Sequence, residues 1–197
     1  MNQEPDDLDR LNSVFAAFEK LVGMIDFLRE DTITALNEMK ATLPTDSKYQ
    51  FRRRTFIRTA YAMVEGTCYH MRAICEFGNE IEGIDKMTGD VLNKVLERPN
   101  PDGKNNYIRA TEAIKISFKS LARVLHYDFE LNAGGSGWQA LDHTRVVRDR
   151  LAHPKQIEEL DLTDNEIETA HAGFKWFFSE LDRLIVSPSK PLTDSNT

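Results

Sequence analysis

An all-α fold is expected from three observations. Apolar residues recur at steps of three and four along most of the chain, no segment alternates apolar and polar residues between hairpin-type turns, and the gaps between periodic segments carry Pro and Gly. The expected architecture is an up-down bundle of about five main helices with a Gly/Pro-rich loop insert.

The first helix is read from Leu8, Leu11, Phe15, Phe18, Val22 and Ile25, which form one apolar stripe expected to be buried. It continues through Leu36 and Met39 and breaks at Leu43-Pro44-Thr45-Asp46. A second long helix is expected from Ser47 to Phe77, burying Ile57, Ala60/Tyr61, Val64, Cys68, Met71 and Cys75, with Gly78 as its stop. Residues 79–106 are punctuated by Gly83, Gly89, Pro99, Pro101 and Gly103. They are read as the loop insert, with a short helix over Asp90–Leu96. A helix over Asn106–His126 places Tyr107, Ala110/Thr111, Ile114, Phe118, Leu121 and Leu125 on one face. After the flexible turn Ala133-Gly-Gly-Ser-Gly137, a helix runs from Trp138 to about Ala152, because Pro154 disfavours helical geometry at His153. Thr163-Asp-Asn-Glu166 reads as a capping box for the last helix, whose core face is Ile167, Ala170, Phe174, Phe177/Phe178, Leu181 and Leu184.

Hydrophobic residues make up 41% and charged residues 29% of the 197, the balance of a globular chain. One helical domain is expected over residues 1–187, followed by a disordered tail at 188–197 rich in Pro, Ser, Thr and Asp. The apolar runs are too short for a membrane span and no charged-then-apolar leader opens the sequence, so a cytoplasmic protein without a membrane partner is expected. Cys68 and Cys75 lie about two turns apart on one helix, roughly 10 Å, which is too far for a disulfide; both are read as small core residues. The net charge of −7 argues against coating nucleic acid over the whole surface, but it leaves room for a local basic cleft. Two arginine clusters stand out: Arg52, Arg53, Arg54 and Arg58 at one helix start, and Arg145, Arg148 and Arg150 at another helix end.

The segment Arg145-Val-Val-Arg148-Asp149-Arg150-Leu-Ala-His153-Pro154 carries the chemistry. Arginine stays charged and grips phosphate with two parallel N–H bonds. Histidine exchanges protons near neutrality. Together they suffice for phosphodiester chemistry without a metal, and neither a metal site nor a cofactor is expected. His70, His126, His143 and His171 show no metal-ligand spacing. The Gly134–Gly137 turn precedes a helix but follows no strand, so it is not a nucleotide-binding loop.

The pattern Arg148-Asp149-x-x-x-His153, at the end of a penultimate helix and followed by Pro, resembles the signature of the HEPN superfamily. That signature is an Arg, a polar residue, and a His about one helical turn later. The family more often has Asn where this chain has Asp149. Its members are α-helical bundles. Many are metal-independent RNases of toxin–antitoxin, abortive-infection and related systems, and they usually dimerise so that two motifs line one cleft. The resemblance implies an endoribonuclease in which a 2′-hydroxyl attacks the adjacent phosphate, leaving a 2′,3′-cyclic phosphate. His153 would move the proton, Arg148 would stabilise the charge growing on phosphorus-bound oxygens, and Asp149 would orient one of them. The implied partners are RNA, a second copy of the chain and an antitoxin protein.

Arg145, Arg150, Arg52, Arg53 and Arg54, with Arg58 of the same cluster, are candidates to hold RNA phosphates beside the motif. Glu65 is expected to pair with a neighbouring cation or to face water, with Arg148 as one option. The same residues also fit surface ion pairs and a helix-end histidine. A non-catalytic module for dimerisation, RNA binding or scaffolding is therefore the alternative.

Overall fold

The computed structural model describes residues 7–79, 89–96 and 108–185. Among these the fold is all-α, with six α-helices and no β-strand. The helices are α1 (Asp7–Ala41), α2 (Tyr49–Gly78), α3 (Gly89–Val95), α4 (Ala110–Val124), α5 (Ser136–Ala152) and α6 (Asp164–Ile185), with one 3-10 turn at Ile157–Leu160. No described helix is long and apolar enough to cross a membrane. Most of the loop insert and the whole 188–197 tail lie outside the described residues; within the insert, α3 matches the expected short helix to within one residue at each end.

The described residues group into two compact units. One takes those up to Gly23, Thr67–Leu131, and those from Asp182 on; the other takes Met24–Gly66 and Asn132–Leu181. In the first unit Met71, Ile74 and Cys75 of α2 and Phe118 and Leu121 of α4 form the buried centre. Arg72 is buried there and donates to the Ser117 hydroxyl at 3.0 Å, and that hydroxyl has its one hydrogen within reach of the Ala113 carbonyl at 2.6 Å and the Cys68 carbonyl at 3.0 Å. Both cysteines are buried and outside any disulfide, and burial pushes the Cys75 thiol up to about 12, which leaves it an inert core group. Helix α4 starts at Ala110, later than the expected Asn106, because Arg109 is extended (φ −61°, ψ 143°).

The second unit contains the motif. Its core joins Phe56, Ile57, Ala60 and Tyr61 of α2, Leu141, Val147 and Leu151 of α5, and Ala170, Phe174 and Phe177 of α6, all nearly excluded from solvent. Phe56 meets Phe174 edge to face with ring centroids 5.8 Å apart. Burying each of the larger side chains contributes roughly 1.5–3 kcal/mol. The motif helix is pressed onto α6 at two glycines. A Cβ on Gly137 would sit 2.4 Å from the Trp176 ring, and one on Gly173 would sit 2.7 Å from the backbone nitrogen of Leu141. The Thr163–Glu166 capping box forms as expected: the Thr163 N–H donates to the Glu166 carboxylate at 2.8 Å, and the Glu166 N–H to the Thr163 hydroxyl at 3.2 Å.

One expectation is corrected. The stripe assigned to the interior on α1 is largely exposed: Leu8, Leu11, Phe15 and Val22 are 62%, 43%, 61% and 40% accessible. The buried positions of α1 are Leu21, Thr32, Ala35 and Met39. With half-buried Val14, Phe18, Ile25 and Leu28 they form a stripe that steps by three and four and shares Phe18, Ile25 and Met39 with the expected one. The buried face is thus rotated towards one flank of the expected one, and periodicity identifies an apolar face without saying which flank of it meets the core.

Candidate functional site

The site lies where the middle of α2 meets the last two turns of α5. Arg58, Tyr61 and Glu65 share one face of α2. Arg58 donates to the Leu151 carbonyl at 2.8 Å, whereas Glu65 accepts from Arg148 one turn further back on α5. As α2 advances α5 recedes, so the two helices run antiparallel here. The face of α5 carrying the motif is laid along a stripe of α2 side chains.

Arg148 is held on three sides. Its Nη2 donates to Glu65 Oε1, its Nη1 donates to Asp149 Oδ1 at 3.0 Å, and its Cζ stands 5.1 Å from the centre of the Tyr61 ring. The ring face is electron-rich and the guanidinium is planar, so this stack orients the cation as well as attracting it. Partial burial alone would lower the guanidinium's proton affinity, but the charges of Glu65 and Asp149 outweigh it and raise that affinity. Asp149 also accepts from Arg145 Nη1 at 3.1 Å, and Arg145 Nε donates to Asp142 at 2.8 Å. The result is a chain of ion pairs in which three carboxylates (Glu65, Asp142, Asp149) face two guanidiniums (Arg145, Arg148).

Tyr61 is almost fully buried beneath this chain. Burial raises its hydroxyl above the ordinary phenol range, and Glu65 adds to the rise while Arg148 and Arg145 oppose it. The phenol therefore stays protonated at any physiological pH. Sequence reading placed Tyr61 in the core and missed this second role. The available signal was its position one turn before Glu65 on the same helix face.

His153 is the C-cap of α5. Its backbone is outside the helical region (φ −132°, ψ 55°), as its place before Pro154 requires, and its N–H donates to the Asp149 carbonyl at 3.1 Å. The imidazole is exposed and has no hydrogen-bond or ion-pair partner among the described residues. It sits one turn beyond Asp149 and two residues past the carbonyl that Arg58 grips. The arrangement can therefore offer a free imidazole for proton transfer and a fixed, permanently charged guanidinium on one helix end.

The remaining candidate arginines are directed elsewhere. Arg53 is 6% exposed, donates to the Leu162 carbonyl and the Asp164 carboxylate, and stacks 4.6 Å from the Tyr49 ring centre. Arg54 donates to the Leu160 carbonyl at 3.0 Å. Arg52 pairs with Glu38 of α1. Arg150 pairs with Glu166 at 2.9 Å and donates to the Asp161 carbonyl at 3.3 Å. Gln50 completes the set: its amide donates to the Leu162 carbonyl and accepts from the Leu162 N–H, at 3.1 and 2.9 Å. Arg53, Arg54, Arg150 and Gln50 thus clasp the connection between α5 and α6. The motif's ion-pair chain contains Arg145, Arg148 and Asp149, and His153 follows one turn later at the helix end. Comparison with protein-family models, with curated proteins and with solved structures finds no match to this chain.

Proposed function

We propose that this chain is a HEPN-like, metal-independent endoribonuclease acting in the cytoplasm. It cleaves RNA by 2′-hydroxyl attack to a 2′,3′-cyclic phosphate and works as a homodimer, a toxin or phage-defence effector restrained by an antitoxin-type partner. The observation that carries this reading is the contrast between His153 and Arg148. The imidazole is exposed and unpartnered at the helix end, free to take and return a proton. The guanidinium is oriented by Tyr61, Glu65 and Asp149, as a group meant to meet developing negative charge must be. In this reading His153 removes the 2′-hydroxyl proton or protonates the leaving 5′-oxygen, and Arg148 stabilises the phosphorane. The test is cleavage of total cellular RNA in EDTA by the wild-type protein and by His153→Ala, with fragment ends read for cyclic phosphate. Cleavage by the wild type alone is expected. Equal cleavage by both proteins, or by neither, overturns the reading.

A second reading has its own observation. Arg148 and Asp149 are both engaged in ion pairs, with Glu65, Arg145 and each other, which is how a retained but idle surface looks. A non-catalytic RNA-binding or dimerisation module then remains, and it binds RNA or a partner without cutting under any condition.

A further inference from the structure

Arg148 is the cation to which the ribonuclease reading assigns the phosphate, yet its Nη2 is already occupied by Glu65, a carboxylate supplied by another helix. Asp149 takes Nη1 from the neighbouring position on α5. A carboxylate and a phosphodiester present the same thing to a guanidinium, two oxygens sharing one negative charge at similar spacing. Glu65 and Arg148 are 46% and 31% exposed, so this pair lies at the edge of solvent, where one partner can be exchanged without opening the core. Around it the carboxylates outnumber the guanidiniums, so a lone anion arriving from water is repelled by Asp142 and Asp149 as well as forced to compete with Glu65.

We infer that Glu65 occupies an oxyanion seat on Arg148 that a backbone phosphate takes over on binding, and that this internal competitor makes the site selective for a polyanionic strand over free phosphate. The inference rests on the ribonuclease reading for the identity of its ligand. A strand brings further phosphates to neighbouring cations, part-exposed Arg145 among them, and their combined attraction offsets the loss of the Glu65 pair. Inorganic phosphate has one contact to offer and does not compensate for it. When Glu65 leaves, Tyr61 remains under the guanidinium and keeps it in plane. The role differs from that of Asp149, which is adjacent to Arg148 in sequence and travels with it.

The test is Glu65→Gln, which keeps an oxygen able to accept from Arg148 but removes the charge. Binding of inorganic phosphate, and of a 2′-O-methyl RNA of about twelve nucleotides that cannot be cleaved, is measured by calorimetry at constant ionic strength. The proteins are the wild type, Glu65→Gln, Arg148→Ala and the double variant, with circular dichroism melts confirming that each is folded. Glu65→Gln is expected to bind phosphate about fivefold more tightly, the upper end of what a part-exposed ion pair contributes. The oligonucleotide should gain less, and the double variant should lose the gain. Unchanged or weaker phosphate binding by Glu65→Gln overturns the proposal and makes Glu65 a support for Arg148. A gain that survives in the double variant overturns it as well, because a general change of charge would then explain it. Equal gains for the two ligands overturn the selectivity. Failure of the ribonuclease reading looks different: the phosphate gain is present while the wild-type protein neither cuts nor binds RNA.

Discussion

The two arginine clusters look alike in the sequence, yet most of their members are used in opposite ways; Arg52, paired with Glu38, and Arg150, part of the clasp, are the exceptions. Arg53, Arg54 and Arg58, on the first turns of α2, donate mainly to main-chain carbonyls, those of Leu162, Leu160 and Leu151. Arg145 and Arg148, near the end of α5, donate to carboxylates that belong to α5 itself or to the facing helix. The first set satisfies oxygens left unbonded where α5 ends and an irregular connection begins, which is the work of a staple. The second set forms a part-exposed charge network at the edge of solvent. A run of arginines announces only that anionic or carbonyl oxygens are nearby. Whether those oxygens belong to the chain's own backbone or to a ligand depends on what the fold brings opposite.

The sharpest way to separate the clusters is to remove one arginine from each. Arg148→Ala should cut RNA cleavage at least about a hundredfold, the usual size of a lost transition-state contact. It should cost less than about 1 kcal/mol of stability, since its ion pairs are part-exposed. Single-turnover cleavage and a urea melt on the same sample check both halves, and a large stability loss would move Arg148 into the staple class. Arg53→Ala should do the reverse. Its buried guanidinium satisfies a carbonyl and a carboxylate, so its loss should cost about 2 kcal/mol in the same melt. Cleavage by the fraction that remains folded should be nearly unchanged.

These two outcomes also bear on what was legible beforehand. The buried stripes of α2, α4 and α6, the capping box, and His153 at a helix end before Pro154 were all readable, because each depends on neighbours a few positions away. The partners of the α2 arginines were not. Arg53 meets Leu162 across 109 residues and Arg54 meets Leu160 across 106, and no local pattern encodes such pairings. Glu65 was recognised as a partner for some cation, but choosing Arg148 required knowing that α2 and α5 run antiparallel at that register. On α1 the failure was of another kind. The apolar face is broad, and its flank carrying Leu8, Leu11, Phe15 and Val22 proved to be the outer one, while Phe18, Ile25 and Met39 lie towards the inner one.

The smallest effect sharpens the comparison through pH. Glu166 links the clasp to the capping box: it accepts from Arg150 and from the Thr163 N–H and hydroxyl. Burial alone would raise its carboxyl, but the Thr163 bonds and Arg150 more than reverse this and leave it below its ordinary 4.5. A carboxylate whose folded value is lowered contributes stability that is full above the unfolded value near 4.5 and is lost as pH falls through the folded one. Glu166→Gln should therefore cost about 1 kcal/mol at neutral pH, the scale of a lost cap. The gap from wild type should close in melts run at progressively more acid pH. A gap that stays constant with pH would mean that Glu166 acts through packing and not through its charge.

The contact between α5 and α6 has a consequence for recognising kin. At Gly137 and Gly173 there is no room for even a methyl group, so these two positions are closed to the other amino acids as long as the helices stay at this spacing. Surface arginines and a helix-end histidine recur by chance in unrelated chains. Two glycines in fixed register behind them, one against a tryptophan and one against a backbone, recur far less often. A search pattern that couples Arg148 and His153 to those glycines would discriminate better than the motif alone, and it would pick out chains that hold the motif helix in the same seat.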